Sequence, residues 1–396
     1  MNINITIDTL SITVGILLLA MSILSILMNP FIRFRREKKE ATEEGEGQSP
    51  SPLPSLSVVI TPHNEAQNLE KHIPDILNQS YPGGFRVIVV AEQGDRETED
   101  ALKRIQAKSA MQEADGKLYV TFIPESSRYV SRKRLAMTLG AKAAQSEWVL
   151  FTEAFSSPDS KYWLLTMARS CNSNHNLVIG YGHYSKDAPS YMRFQRLHTS
   201  FYLMREDSSH VAYRTVSHNT MIRKKDFLGL EGFEGSLHLP RGEYDSIVNK
   251  FAQSGQTCLV TEPTAWITDD CPTKKEWVAM QVFYMETRKF LKRGTAHRLL
   301  FNADQCVLHI NCILITLALV YSILTCKWFI LAISLLALLI TVIGHLALAH
   351  RALRDFSEKV SLWAVLPFEL SIVWHNAMNM ARHKFTDKLA FTTHKQ

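Results

Sequence analysis

No pair of the six cysteines is spaced as CxxC: Cys171, Cys258, Cys271, Cys306, Cys312 and Cys326 stand apart, the last three in or beside apolar runs. That pattern argues against a zinc site and a disulfide framework and leaves ordinary reduced thiols. The apolar segments carry no internal repeat, so a transporter with a pathway between repeated bundles is not expected. A basic n-region is also missing: Asp8 stands before the first apolar run, and no small-x-small cleavage site follows it, which disfavours a signal peptide. The net charge of +6 sits on basic residues clustered beside apolar runs, a distribution suited to a membrane surface, and no nucleic-acid partner is expected. A length of 396 residues suits one large domain, or two small ones, with accessory segments.

Long apolar runs are what the chain does have. Leu10 to Met28 can span a bilayer, which takes about 20 residues. Arg33, Arg35, Arg36, Lys38 and Lys39 follow it, and the positive-inside rule then puts the N-terminus outside and the main domain in the cytoplasm. Val307–Thr325 and Trp328–Ala349 are two further spans, separated by Cys326 and Lys327, which predicts a tight helical hairpin. Basic residues precede the pair (Arg288, Lys289, Lys292, Arg293, Arg298) and follow it (Arg351, Arg354, Lys359), so both flanks face the cytoplasm. Ser361–Met380 is apolar and aromatic but interrupted by Pro367, Glu369, His375 and Asn376, and reads as an interfacial or re-entrant helix. Lys38–Ser55, charged and then rich in Ser and Pro, has the composition of a flexible linker. The expected organisation is an anchor over 1–31, a linker over 32–55, a cytoplasmic domain over 56–293, a membrane hairpin over 294–350, and an interfacial helix with a basic tail over 351–396. This describes a multi-pass protein of the plasma or inner membrane.

From Leu56 to Gly182, short β-branched runs alternate with helical patterns. Ser57–Thr61, Arg86–Ala91, Tyr119–Ile123, Trp148–Thr152 and Leu177–Gly180 are the expected strands. Glu65–Gln79 places Leu69, Ile73, Ile76 and Leu77 on one helical face, with a kink expected at Pro74, and Val130–Ala144 is a second clear helix. Alternation of this kind predicts a mainly parallel α/β sheet with helices on both faces. Ligands bind such sheets beyond the carboxyl ends of the strands, where Pro62–Glu65, Glu92–Asp95 and Glu153–Phe155 fall.

The runs VVITPHNEAQNLEKHIPDILNQSYP, VIVVAE and RKRLAMTLGAKAAQSEWVLFTEA resemble glycosyltransferase family 2, the inverting transferases with a GT-A fold. The likeness continues through HNTMIRKKDF, GFEG and GEYDSIVNKFA to the helix of Trp277 and Gln281, and so covers roughly Leu56 to Arg293. One span before the domain and a hairpin after it is also similar to membrane-bound members. The resemblance implies a GT-A-like, Rossmann-related fold and transfer of a sugar from a nucleotide-sugar donor, of the UDP-sugar type, to a lipid-linked or cell-envelope glycan.

Pro62, His63, Asn64 and Glu65 match the family's first nucleotide-contacting turn; a plain strand-to-helix turn with Asn64 as N-cap is the competing reading. Glu92 stands where the family reads the base with an aspartate, and Asp95 is one position from the usual second acid. Arg132, Lys133 and Arg134 open a helix, where three cations oppose the helix dipole. A bound anion would relieve that cost, and the family often has a basic residue at Lys133, near the diphosphate. Glu153-Ala154-Phe155 replaces the family's Asp-x-Asp, whose acids hold Mg2+ or Mn2+. Glu153 alone is left as a metal ligand. Gly242-Glu243-Tyr244-Asp245 matches the Glu-Asp motif, in which the aspartate is the general base. Tyr244 is the direct match, so the base is Asp245 or Glu243, or no carboxylate base is present. His218 and Asn219 fit the acceptor-side strand. Gln281 fits the Gln-x-x-Arg-Trp helix, whose Arg and Trp positions are Tyr284 and Met285 here, a departure that argues against a processive polymer synthase. With three motifs altered, the second reading is a non-catalytic relative that binds or scaffolds, paired with a partner transferase subunit.

Overall fold

A computed structural model describes residues 8–33, 53–111, 117–124, 131–209, 211–239 and 241–386. Most of the expected linker and the end of the basic tail lie outside these residues. Two compact units divide the described chain: one gathers Met1–Arg36, Pro189–Arg205 and Arg293–Met378, the other Glu37–Ala188, Glu206–Lys292 and Asn379–Gln396.

The first unit begins with α1 (Thr9–Met28), capped by Asp8, whose carboxylate accepts from Ser11 N, and a short turn, α2 (Pro30–Arg33). The second then builds an α/β sheet from β1 (Leu56–Ile60), α3 (Ala66–Leu77), β2 (Phe85–Glu92), α4 (Arg96–Met111), β3 (Leu118–Ile123), α5 (Arg132–Ala143) and β4 (Trp148–Thr152). It continues through β5 (Ser156–Pro158), α6 (Trp163–Ala168), β6 (Leu177–Gly180) and β7 (Gly182–Tyr184). After α7 (Ser190–Ser209) come β8 (Thr220–Arg223), α8 (Lys224–Gly229), α9 (Glu243–Phe251), β9 (Thr257–Val260), β10 (Ile267–Asp269) and α10 (Lys274–Thr287). The long helices α11 (Thr295–Leu324), α12 (Trp328–Asp355) and α13 (Leu362–Phe385) close the described chain.

The main sheet has seven strands in the order β3-β2-β1-β4-β8-β6-β9. β8 runs antiparallel between β4 and β6, and the other neighbours pair parallel. Strand alternation splits the core between the two faces. Val58 and Ile60 pack with Leu69, Ile73 and Leu102 from α3 and α4. Val59, Val149 and Phe151 face the other way, onto Met137 of α5, Phe227 of α8 and Phe251 of α9. The expected strands and both expected helices are present to within two residues at their ends, and α3 continues through Pro74. A second sheet, β5-β10-β7, sits beyond the end of β4 and carries Asp269 on its central strand.

Thr9–Met28, Phe301–Leu324 and Trp328–Asp355 are long and apolar enough to cross a membrane. They pack through Leu18, Ile315, Ala318, Ile330 and Ala337. Small residues permit the close approach, as in other membrane bundles. A Cβ on Gly344 would lie 2.3 Å from Ile26 Cδ1 and one on Gly15 2.7 Å from Ile333 Cδ1. Ile16, Leu324 and Ile343 leave their side chains exposed on the outer faces. In α13, Glu369 does not break the helix against solvent. It is buried and tied inward, accepting from Asn29 Nδ2 (2.9 Å) and lying 2.6 Å from His345 Nδ1.

Candidate functional site

β1, β2 and β4 end side by side, and their extensions bring together residues far apart in sequence. After β1, Pro62 is buried and His63 exposed, while Asn64 adopts a left-handed φ of 54°. This conformation turns the Asn64 amide onto Asp95 Oδ2 (3.0 Å), so Asn64 does not cap α3; the cap position is Glu65. Glu65 Oε2 accepts from His63 N (3.2 Å) and closes the turn. Burial, and then the nearby Glu153, push the Glu65 carboxyl above its ordinary range.

At the end of β2, Glu92 links two of these elements. Its Oε1 lies 3.2 Å from His63 Nδ1 and its Oε2 2.6 Å from Arg132 NH1, in the first turn of α5. The three cations of that turn separate. Arg134 is fully buried and donates to Leu239 O, Ser236 Oγ, Ser246 Oγ and Arg241 O, so it braces the following loop and takes no ligand. Arg132 and Lys133 remain on the site side. Ser131 caps the helix by accepting from Arg134 N (3.3 Å), which leaves the first amides of α5 outside the helical ladder.

Lys133 Nζ lies 2.6 Å from Oε1 of Glu153, which is buried at the end of β4. Burial opposes the ammonium charge, yet Glu153, Glu243 and Glu65 outweigh it and hold the Lys133 pKa above its ordinary value. Tyr244 interacts with the same carboxylate. Burial first, and Glu153 second, raise its phenol well above the usual range. The Tyr244 ring also meets the edge of His218 (5.0 Å between centroids), and Phe155 meets the other side of that imidazole at 5.3 Å. β8 pairs Thr220 with Phe151, which carries His218 out beside Glu153. His218 Nδ1 lies 2.8 Å from Oδ2 of the buried Asp269, whose Oδ1 accepts from Ser156 Oγ at 2.5 Å.

The remaining expected site residues lie around this centre or apart from it. Asp245 Oδ1 accepts from Thr215 N (3.2 Å) and lies 3.5 Å from Arg214 Nε, whose guanidinium stacks 3.7 Å above Tyr284. Burial raises the Asp245 carboxyl against the opposing pull of Arg214 and Thr215. Glu243 is buried against Ser131 Oγ (3.5 Å) and Arg134 Nε (4.0 Å). Asn219 is fully buried and engaged: it donates to Ala265 O (2.8 Å) and accepts from Trp163 Nε1 (3.1 Å), which ties β8 to α6. Gln281 is half-buried on α10, and no hydrogen bond joins it to the central cluster among the described residues. Sequence reasoning missed Asp269 and Arg214. The Asp269-Asp270 doublet was a visible signal, but nothing in its spacing pointed to His218.

These residues do not fit a resident divalent cation. Phe155 stands where the resemblance would put a second acid, its ring is against His218, and the ammonium of Lys133 already lies on Glu153. Among the described residues no group of three His, Cys, Asp or Glu side chains is arranged to hold a metal ion.

Residues 57–229 match the model of Glycosyl transferase family 2. No curated protein matches the sequence significantly. Among solved structures, the chain is similar to the mannosyltransferase PcManGT from Pyrobaculum calidifontis in complex with GDP-Man and Mn2+. The two are 17% identical over 87% of this chain and 98% of that one, with a TM-score of 0.50. A second similar structure is GalNAc-T7 with UDP, GalNAc and Mn2+, at 13% identity over 59% of this chain and 48% of that one, with a TM-score of 0.41.

Proposed function

Because the chain carries a glycosyltransferase family 2 domain on a GT-A-like fold, we propose that it moves a sugar from a nucleotide-sugar donor to a lipid-linked or cell-envelope glycan. The observation that carries this reading is the meeting of His63, Glu92, Arg132, Lys133, Glu153 and His218 at the ends of β1, β2, β4 and β8. Pro62, His63, Asn64, Glu65 and Glu92 would hold the base and ribose, and Arg132 and Lys133 the diphosphate. Three membrane-length helices support an acceptor that stays with the bilayer, and the basic flanks support a cytoplasmic site.

Inverting transfer needs a group that removes the acceptor hydroxyl proton as its oxygen attacks the anomeric carbon and the bond to the diphosphate breaks. Tyr244 is committed to Glu153, Asp245 to Arg214 and Thr215, and Glu243 to Ser131 and Arg134. His218 is the group that stands beside Glu153 with a buried carboxylate behind one ring nitrogen. With Nδ1 donating to Asp269, Nε2 carries a lone pair and meets no hydrogen-bond partner among the described residues. Nε2 takes the acceptor proton, and Asp269 stabilises the imidazolium that results.

The non-catalytic reading, a binding or scaffolding subunit beside an active transferase, is supported by Phe155 and Tyr244, which stand where the family places acids. Turnover separates the two. Purified full-length protein is incubated with radiolabelled UDP- and GDP-sugars and a membrane lipid extract. Release of nucleoside diphosphate with label in the lipid fraction is expected. Donor binding without release or transfer would favour the non-catalytic reading.

A further inference from the structure

We infer that this site holds its donor diphosphate without a divalent cation, the ammonium of Lys133 supplying in place the positive charge an ion would bring. The inference rests on the donor-binding reading above. It starts from charge balance: two carboxylates and a divalent cation sum to zero, and so do one carboxylate and one ammonium. Here the second acid is gone, and the ammonium at a position where the family often has a basic residue sits on the remaining carboxylate. Phe155 contributes no charge, Glu153 contributes one negative charge, and Lys133 Nζ lies 2.6 Å from it. Arriving as well, an ion would have to displace Lys133 from a carboxylate that is 1% exposed, with Phe155 closing the far side against His218. The ion would take over that carboxylate and leave the Lys133 ammonium unpaired beside a divalent cation, a like-charge contact that disfavours its binding.

The same geometry lets Lys133 serve two anions. An ammonium has three donors, so one can stay on Glu153 while the others meet diphosphate oxygens. Tyr244 is buried close enough to interact with the same carboxylate. Arg132, from the same first turn, and the positive end of the α5 dipole add further positive potential. The departing nucleoside diphosphate would therefore be stabilised by fixed protein charges.

The test is calorimetry of the full-length protein in detergent with UDP, GDP, UDP-glucose and GDP-mannose, in EDTA and in Mn2+, with Mn2+ electron paramagnetic resonance alongside. At least one nucleotide should bind equally in both conditions, and the resonance should report no Mn2+ retained with it. Lys133→Met should weaken binding by about 10- to 100-fold in both conditions, the loss of a charge-assisted contact, whereas Lys133→Arg should retain metal-independent binding. The pair Lys133→Ala with Phe155→Asp should make binding depend on Mn2+. Wild-type binding that appears only with Mn2+, or tightens about tenfold or more with it, would overturn the inference while leaving the donor-binding reading intact. Absence of binding in both conditions would overturn both.

Discussion

Tyr244 and Asp245 are neighbours in the first turn of α9, yet Tyr244 packs on His218 at the centre of the site while Asp245 is held by Arg214 and Thr215. One residue along a helix rotates the side chain by about 100°, and that step decides which of the two reaches the cluster. Asp245→Asn should therefore act on the fold, costing about 1–3 kcal/mol by leaving Arg214 without its carboxylate. Thermal unfolding should show that loss with nucleotide affinity unchanged. Abolished turnover at an unchanged melting temperature would instead make Asp245 the base.

His218→Gln should lower kcat by about 10²–10⁴-fold with little change in donor affinity, since a positioned base acts in the transition state. Asp269→Asn should lower it as well by releasing the tautomer that leaves Nε2 open. The pH dependence of the wild-type rate should change in His218→Gln. A profile identical in both proteins would remove His218 from the reaction.

Asp270 pairs with His72 Nε2 at 2.9 Å and Lys71 Nζ at 2.7 Å. Burial would raise its carboxyl, but the bonds from His72 and Lys71 outweigh that and hold it below the ordinary range. Its stabilising contribution is therefore full above the unfolded carboxylate range and lost as pH falls through the lowered folded value. Urea unfolding of Asp270→Asn should show a deficit at neutral pH that closes only in acid. A deficit independent of pH would mean that packing, not charge, is at stake.

Glu369 and His345 are both buried within the helical unit, 2.6 Å apart, and Asn29 donates to the same carboxylate. Glu369→Ala strands both partners and should cost about 3–5 kcal/mol, read as thermal unfolding in detergent. Glu369→Gln keeps an acceptor for Asn29 and should cost less. Equal stability of the two variants would show that the hydrogen bonds contribute nothing.

The order of strands and helices up to β4 was legible because each element carries its own period: Val58 and Ile60 alternate with Val59 whatever they pack against. The three apolar helices were legible for the same reason, since length and composition alone qualify a span. Glu92, Lys133 and Glu153 could be placed at strand ends and a helix start, because these positions are local.

What each residue holds was not local. Lys133 and Arg134 are adjacent letters, and only the loop from Ser236 to Arg241 folding over α5 turns one inward and leaves the other beside Glu153. Asn219 looked like an acceptor contact until the fold buried it and engaged its amide with Trp163, Tyr181 O and Ala265 O. The sequence by itself determined the frame, the membrane-length helices and the lack of a carboxylate at Phe155 and Tyr244. The tertiary structure alone decided that an ammonium and a tyrosine share Glu153 and that His218 meets Asp269. Those contacts join residues of different strands and helices, and no period or spacing records which side chains such elements bring face to face.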